Sequence, residues 1–329
     1  MSRRTSLRRL LCALPFVVLA TAPLPAAAQG EAAAWPSRPI RYIVPFPPGG
    51  PTDVISRQIA EAMREDLGQP VVIENVGGAN GSLGEGRITR AAPDGYTIGL
   101  GNTGTHTINP SLYPDLPYDA VAGFTPISLI TEYANILLVN ADLPVRDLKE
   151  LLALSRARPL NYASAGIGSS NHLSTELLRS RTGLAAEHIP YKGSAAALLD
   201  LTSGRVAMMF DVLSTALPAI DGKKARAIAT SGAQRHPLLP DVPAIGETVP
   251  GFEFKGWMAV FGPAGLPQPI RDRLNQSIAR ALKLPAVAAR LTQQGYEPRS
   301  STPAELAQRI EADGRLWGDV IRNAGIRPE

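Results

Sequence analysis

The stretch Val44–Ser56, VPFPPGGPTDVIS, leads from an apolar run into an amphipathic one through four prolines and two glycines. The preceding run, Ile40–Val44, is rich in the β-branched and aromatic residues typical of a strand. After the corner, apolar residues recur at helical spacing from Asp53 to Leu67, and Gly68 ends that pattern. The stretch therefore predicts a strand-to-helix turn, the repeating unit of α/β folds.

The same alternation continues along the chain. Val71–Ile73 is the next predicted strand, a helix follows from about Ser82 to Ala91, and Tyr96–Leu100 is a third strand. Single helices between successive strands imply a parallel sheet with right-handed crossovers. Beyond a proline-marked loop over residues 102–124, a second series of strands and helices runs to Thr230. We therefore predict an α/β protein of two lobes, each a mainly parallel sheet flanked by helices.

The predicted lobes are discontinuous in sequence. Lobe 1 comprises residues 36–131 and 254–329, and lobe 2 comprises residues 132–253. Within lobe 1, Thr302 and Glu305 form a capping box that predicts the start of the last helix. Two α/β lobes joined by two chain crossings leave a cleft at the carboxyl ends of both sheets, which is where open α/β folds bind ligands.

The first 28 residues have the pattern of a secretory signal peptide. Four arginines at positions 3, 4, 8 and 9 precede an apolar run, and Ala26–Ala28 supplies a small-residue cleavage site. The apolar run is short for a membrane span and contains prolines. We expect cleavage after Ala28, by the general secretory or the twin-arginine route, and a periplasmic location.

Cleavage changes both the charge and the thiol content of the chain. Loss of the four arginines lowers the formal net charge from +4 to 0, which removes the basic balance that nucleic-acid binding needs. The single cysteine, Cys12, lies within the predicted peptide, so the mature chain forms no disulfide. The four histidines lack the spacing of metal ligands. The sequence thus predicts no metal, no cofactor and no nucleic-acid partner.

The corner after the first strand has the features of an anion site. Gly50 fits the N-cap position and Pro51 the first helical position, and the first turn leaves N–H groups unpaired at the positive end of the helix dipole. Such a helix start binds an anion without lysine or arginine. An ordinary turn has a similar composition, so the interpretation depends on whether such corners recur.

Corners of this kind do recur. Glycine, hydroxyl and amide residues follow predicted strands at 77–82, 101–106 and 163–171, and Tyr191–Ser194 opens another helix. Several of these corners meeting in one cleft would suit a small, negatively charged molecule. A serine at the 163–171 corner leaves a hydrolase open as an alternative, although no histidine and acid pair is marked beside it.

Several segments together resemble the Bug-type extracytoplasmic substrate-binding proteins of tripartite tricarboxylate transporters. They are PFPPGGPTD, VGGANGS, GNTGTHTINPSLY, NYASAGIGSSNHLSTELL and IPYKGSAAALLDLTSGRVAMMFD, and with the return segment GFEFKGWMAVFGPAGLP they span nearly the whole mature chain. The resemblance implies a periplasmic-binding-protein fold of the second structural type, whose lobes close on a ligand. It implies a monomer that captures a small organic carboxylate for the permease subunits of a tripartite transporter, without catalysis. The carboxylate is left open among a di- or tricarboxylate, an amino acid and an aromatic acid.

Matching positions give the ligand-binding residues that the resemblance implies. A carboxylate of the ligand is expected against the PGG corner, held by backbone amides and ordered waters. The residues are Phe46, Pro48, Gly49, Thr52, Asp53, Asn80, Gly81, Ser82, Thr103, Thr105, Ser164, Gly166, Ser169, Ser170, His172, Tyr191, Lys192 and Asp211. A periplasmic sensor that reports to a signalling partner, and a carboxylate-processing enzyme, stay open as alternative functions.

Overall fold

Eleven strands form two sheets in residues 35–327, the part of the chain described by this computed structural model. The predicted signal peptide lies outside these residues. The strands are β1 (Ile40–Val44), β2 (Val71–Asn75), β3 (Thr97–Asn102), β4 (Phe124–Tyr133), β5 (Asn135–Asn140), β6 (Leu160–Ser164), β7 (Ala186–Pro190), β8 (Met208–Val212), β9 (Ala225–Thr230), β10 (Gly256–Pro263) and β11 (Glu297–Pro298).

Helices pack around both sheets. They are α1 (Pro51–Leu67), α2 (Ser82–Thr89), α3 (Asn109–Leu112), α4 (Leu148–Ala157), α5 (Ser170–Thr182), α6 (Ser194–Thr202), α7 (Leu213–Asp221), α8 (Gln268–Lys283), α9 (Pro285–Gln293) and α10 (Pro303–Ala324). Among residues 35–327, none of these helices is long and apolar enough to cross a membrane.

The sheets have the orders β11-β4-β10-β3-β1-β2 and β7-β6-β8-β5-β9, which confirms the predicted two-sheet α/β class. As predicted, β1 pairs in parallel with β2 and β3, and β6 pairs in parallel with β7 and β8. Each sheet also contains antiparallel pairs: β10 is antiparallel to β3 and β4, and β5 is antiparallel to β8 and β9. The reason is the route of the chain. It crosses between the sheets from β4 to β5 and returns from β9 to β10, so the strands that receive it, β5 and β10, run away from the crossing. The exact lobe boundaries stay a prediction.

Prolines account for several elements that the sequence did not predict. The predicted loop over residues 102–124 contains a π-helical turn at Gly104–Ile108 and then α3, where Pro110 occupies the first turn. Pro285 likewise opens α9, whereas Pro218 lies in the interior of α7, where it leaves one helical hydrogen bond unmade. Proline is tolerated in a first helical turn because the N–H that it lacks has no partner there in any case. We predicted neither α7 nor α9, nor the two-residue strand β11.

Helix α10 packs against the hydrophobic clusters of both sheets. Its capping box is confirmed, since the Glu305 N–H donates to Thr302 Oγ1 at 3.2 Å and the Thr302 N–H donates to Glu305 Oε2 at 2.8 Å. Leu306 near its start belongs to the cluster around Trp257 of the first sheet. Trp317, about three turns further on, belongs to the cluster around Tyr162 of the second sheet. The helix therefore connects the cores beneath the two sheets.

Candidate functional site

A cavity of about 570 Å³ lies where strands of the two sheets end. Phe46 just after β1 and Asn102 at the end of β3 line it from the first sheet. Ala165 just after β6 and Asp211 of β8 line it from the second sheet. The volume falls within the range of roughly 300 to 1,000 Å³ that is usual for small-molecule sites.

Four helices of the described chain begin at the wall of this cavity. The lining includes Pro51 of α1, Ser170 of α5, Ser194 of α6 and Val212, which is the N-cap of α7. The first N–H groups of a helix have no intrahelical partner, and they carry the positive end of the helix dipole. The backbone therefore creates a favourable site for an anion.

Asp53 stabilises the corner that follows β1 by accepting hydrogen bonds. Its Oδ2 accepts hydrogen bonds from the Gly49 N–H at 2.9 Å and from Arg57 Nε at 3.0 Å, and its Oδ1 accepts one from Asn75 Nδ2 at 2.9 Å. Asn75 Nδ2 also donates to the Phe46 carbonyl at 3.1 Å. Burial raises the pKa of Asp53, but the hydrogen bonds from Arg57, Gly49 and Asn75 outweigh it and hold the pKa below its usual value.

The π-helical turn after β3 is held by reciprocal bonds. The Thr105 N–H donates to Asn102 Oδ1 at 3.0 Å, and the Asn102 N–H donates to Thr105 Oγ1 at 3.1 Å. Thr105 Oγ1 lies 2.9 Å from His106 Nδ1, whose ring is fully buried behind the cavity wall. These contacts preorganise the polar atoms that the turn presents to the cavity.

Glu85 and His106 form a buried pair beneath this wall. Glu85 Oε1 lies 3.8 Å from His106 Nδ1, and both side chains are inaccessible to solvent. Burial raises the pKa of Glu85 to about 8 and lowers the pKa of His106 to about 3. Both groups are therefore held neutral at pH 7, because burial disfavours the charged form of each.

Asp211 is the one carboxylate among the described residues that line the cavity, and no lysine, arginine or histidine of the described chain lines it. Its Oδ1 accepts hydrogen bonds from Asn171 Nδ2 at 3.0 Å, Ser194 Oγ at 3.0 Å and the Val212 N–H at 2.9 Å. Burial raises the pKa of Asp211, against the lowering effect of these bonds and of Thr215.

The structure brings part of the predicted residue set together. The cavity lining includes Phe46, Pro48, Thr52, Asn80, Thr105, Ser169, Ser170 and Asp211. The lining does not include Gly49, Asp53, Gly81, Ser82, Thr103, Ser164, Gly166, His172, Tyr191 or Lys192.

Several of the residues outside the lining have structural partners instead. Thr103 is fully buried, and its Oγ1 accepts a hydrogen bond from the Trp257 N–H at 2.9 Å, which joins the turn after β3 to β10. Ser164 Oγ lies 2.7 Å from His188 Nε2. Tyr191 donates from its hydroxyl to Asp200 at 2.7 Å. These contacts connect each side chain to another part of the fold, and none of the three residues lines the cavity.

His172 faces a second, smaller cavity of about 240 Å³. Its ring stacks on His188, with ring centres 3.9 Å apart, and its Nδ1 accepts a hydrogen bond from the Gly168 N–H at 3.1 Å. Burial, with smaller contributions from His188 and Arg179, lowers the pKa of His172 to about 3. Within the described residues, no group of three or more metal-ligating side chains is placed to hold a metal ion.

Sequence analysis missed several lining residues. Ser194 had a signal, since the helix start at Tyr191–Ser194 was recognised. No sequence signal marked Tyr133 or Tyr296 as lining residues. Their rings meet edge to face with centres 5.8 Å apart, although they lie far apart in the sequence. Only the return of the chain through the first sheet brings Tyr296 to the cavity.

Comparison with known proteins finds relatives that are similar to this protein over nearly the whole chain. The family model described as "Tripartite tricarboxylate transporter family receptor" matches residues 55–326. BugT of Bordetella pertussis is 36% identical over 321 residues, which cover 96% of this chain and 98% of that protein. The periplasmic binding protein BugD is 35% identical, with a TM-score of 0.79 over 90% of this chain and 100% of that one. Rpa4515 of R. palustris, solved with adipate, is 36% identical, with a TM-score of 0.82 over 90% of this chain and 100% of that one.

Proposed function

The chain belongs to the family of tripartite tricarboxylate transporter receptors, and from this premise we propose that it is a periplasmic solute-binding protein for a small organic carboxylate. It is exported by its N-terminal signal peptide, which is then removed. It binds the carboxylate in the 570 Å³ cavity and delivers it to the permease subunits of a tripartite transporter. The proposal includes no chemical step.

The observation that carries this proposal is the meeting of the α1, α5, α6 and α7 N-termini at one cavity that no cationic side chain of the described chain lines. Unpaired backbone N–H groups bind a carboxylate through hydrogen bonds and the helix dipole. Because these groups belong to rigid corners, little conformational entropy is lost on binding. The adipate in Rpa4515, a plain dicarboxylate, is consistent with a carboxylate ligand here.

The lining residues of the predicted set are proposed to contact the ligand from both sides. Phe46, Pro48, Thr52, Asn80 and Thr105 lie on the side of the first sheet. Ser169, Ser170 and Asp211 lie on the side of the second sheet. A ligand that touches both sides favours the closed arrangement by the contacts that exist only there. The two crossings, β4 to β5 and β9 to β10, are proposed as the hinge.

A thermal-shift screen tests the proposal. The exported protein, stripped of bound ligand by unfolding and refolding, is heated with a panel of di- and tricarboxylates, amino acids and aromatic acids. A ligand that binds the folded state alone stabilises it by about 2.7 kcal/mol at a hundredfold excess over its dissociation constant. We expect a selective upward shift of the melting temperature for one class of carboxylate.

A pair of variants locates the binding site. Ser170→Trp places an indole in the cavity, whereas Ser203→Trp makes the same change at the exposed C-terminal end of α6. We expect the first variant to abolish the ligand-induced shift and the second to keep it. A shift that survives in Ser170→Trp would place the site elsewhere, and no shift with any carboxylate in the refolded protein would refute the proposed function.

A further inference from the structure

The two oxygens of the Asp211 carboxylate have different surroundings. Oδ1 accepts the hydrogen bonds from Asn171, Ser194 and Val212 described above. Oδ2 is equally buried but has no hydrogen-bond partner among the described residues, since the nearby Thr215 hydroxyl donates to the Val212 carbonyl at 3.0 Å. The residue itself is 0% exposed and lines the cavity. One oxygen is thus saturated by the protein, and the other is left without a partner at the cavity wall.

A purely structural role does not account for this arrangement. The N-cap of α7 is Val212, and no side chain caps that helix. The bonds to Oδ1 from Asn171 of α5 and Ser194 of α6 fix the carboxylate in one orientation from two helices. A buried carboxylate oxygen without a hydrogen bond is costly, so natural structures rarely keep one without a use. Glu85 also has buried oxygens without a partner, but it does not line the cavity; Asp211 does, so a group that enters the cavity can supply the missing partner.

The charge around Asp211 indicates which chemistry that group has. No cationic side chain of the described chain lines the cavity. The three donors to Oδ1 favour the ionised form of Asp211, and in that form a second carboxylate placed beside Oδ2 would meet like charge in a setting with little water. An N–H or O–H group would instead make a charge-assisted hydrogen bond.

We propose that the ligand carries a hydrogen-bond donor, an ammonium or a hydroxyl group, that binds Asp211 Oδ2 while a carboxylate of the ligand lies at the helix N-termini. The preferred ligand is thus an amino- or hydroxycarboxylate, not an unsubstituted di- or monocarboxylate. This inference rests on the proposed function, because it assigns a second contact within the same cavity.

Matched ligands of one carbon skeleton test the inference on the unmodified protein. Succinate, malate and aspartate differ at a single carbon, which carries hydrogen, hydroxyl or ammonium, and glutarate, 2-hydroxyglutarate and glutamate repeat the comparison one carbon longer. Titration calorimetry measures each affinity. At the length that fits best, we expect a donor-bearing ligand to bind at least about tenfold more tightly than the plain dicarboxylate, as a charge-assisted hydrogen bond warrants.

A variant at Asp211 makes the comparison specific. In Asp211→Asn the amide oxygen still accepts the bonds from Asn171, Ser194 and Val212, while the amide nitrogen takes the place of Oδ2 and donates. The preference should therefore vanish or reverse in favour of the plain dicarboxylate. Asp241→Asn, at an exposed turn, makes the same chemical change as a control and should keep the preference of the unmodified protein.

The outcomes distinguish a failure of the inference about Asp211 from a failure of the proposed function. Equal affinity for plain and donor-bearing ligands in the unmodified protein would overturn the inference but not the proposed function. This comparison uses the unmodified protein and so does not depend on whether the variant folds. A preference that persists in a folded Asp211→Asn protein would also overturn it. If no carboxylate of any kind binds, the proposed function itself fails and the inference falls with it.

Discussion

Replacing Gly84 by alanine should destabilise the protein and displace the corner at the cavity. Gly84 lies inside α2, where a Cβ atom would meet Pro45 Cα at 2.6 Å, Pro45 Cβ at 2.6 Å and Val76 O at 2.8 Å. Two of these are backbone atoms, which cannot rotate away. The helix must therefore move away from the strand that leads into the PFPPGG corner.

The magnitude follows from two opposing effects. Alanine in place of glycine favours a helix by about 1 kcal/mol. Overpacking of a close contact costs about 1 to 3 kcal/mol, and contacts with backbone atoms belong at the upper end of that range. The net expectation for Gly84→Ala is a loss of about 2 kcal/mol in the free energy of unfolding.

Gly314→Ala is the matched control. Gly314 also lies inside a helix, α10, but a Cβ atom there would meet no other atom within 4 Å. This variant should show the full stabilisation of the helix by alanine relative to glycine, and it should be more stable than the unmodified protein by about 0.5 to 1 kcal/mol.

Urea unfolding, followed by circular dichroism, measures both variants, and calorimetry with the preferred carboxylate measures binding. We expect the two variants to differ by about 3 kcal/mol in the free energy of unfolding, with weaker binding in Gly84→Ala alone. If Gly84→Ala proves as stable as Gly314→Ala, the close packing of α2 on Pro45 does not restrain the corner, and the reasoning is wrong.

Three further changes test other parts of the structure. Burial raises the pKa of Glu85 from its usual 4.5 to about 8, so the stability of the native protein should fall as pH rises between these values. Glu85→Gln should therefore be more stable than the native protein by a few kcal/mol at pH 9 and equal to it at pH 4. Urea unfolding that gives the same difference at both pH values would contradict this. Asp53→Ala removes the hydrogen bonds to Gly49 and Asn75 and should lower the free energy of unfolding by about 2 to 3 kcal/mol. It should also weaken carboxylate binding; unchanged affinity would show that the corner keeps its conformation without Asp53. Thr302→Ala removes the cap of α10 and should cost about 1 kcal/mol in urea unfolding with unchanged ligand affinity; a loss of affinity would connect the cap to the cavity.

Local patterns predicted most of the regular structure. The helix starts at Pro51, Ser170 and Ser194 and the capping box at Thr302 follow from hydrogen bonds and backbone preferences that act within about four residues. Such signals are visible in any single sequence. The same rules failed where proline was interpreted as marking a loop although it occupied a first helical turn, as at Pro110.

The sequence by itself determined that this chain forms two α/β sheets and places glycine- and hydroxyl-rich helix starts after their strands, because strand, helix and cap signals are local. Only the tertiary structure decided which side chains face the cavity. Ser170 and His172 lie two residues apart on α5 and therefore point about 200° apart around the helix axis, so that one lines the large cavity and the other the small one. Asp53 and Asp211 are both buried acids at corners, yet one is fully used in holding its corner and the other keeps an oxygen without a partner. That difference depends on which distant strands and helices pack against each carboxylate, and this is decided by the folded arrangement and not by neighbouring residues in the sequence.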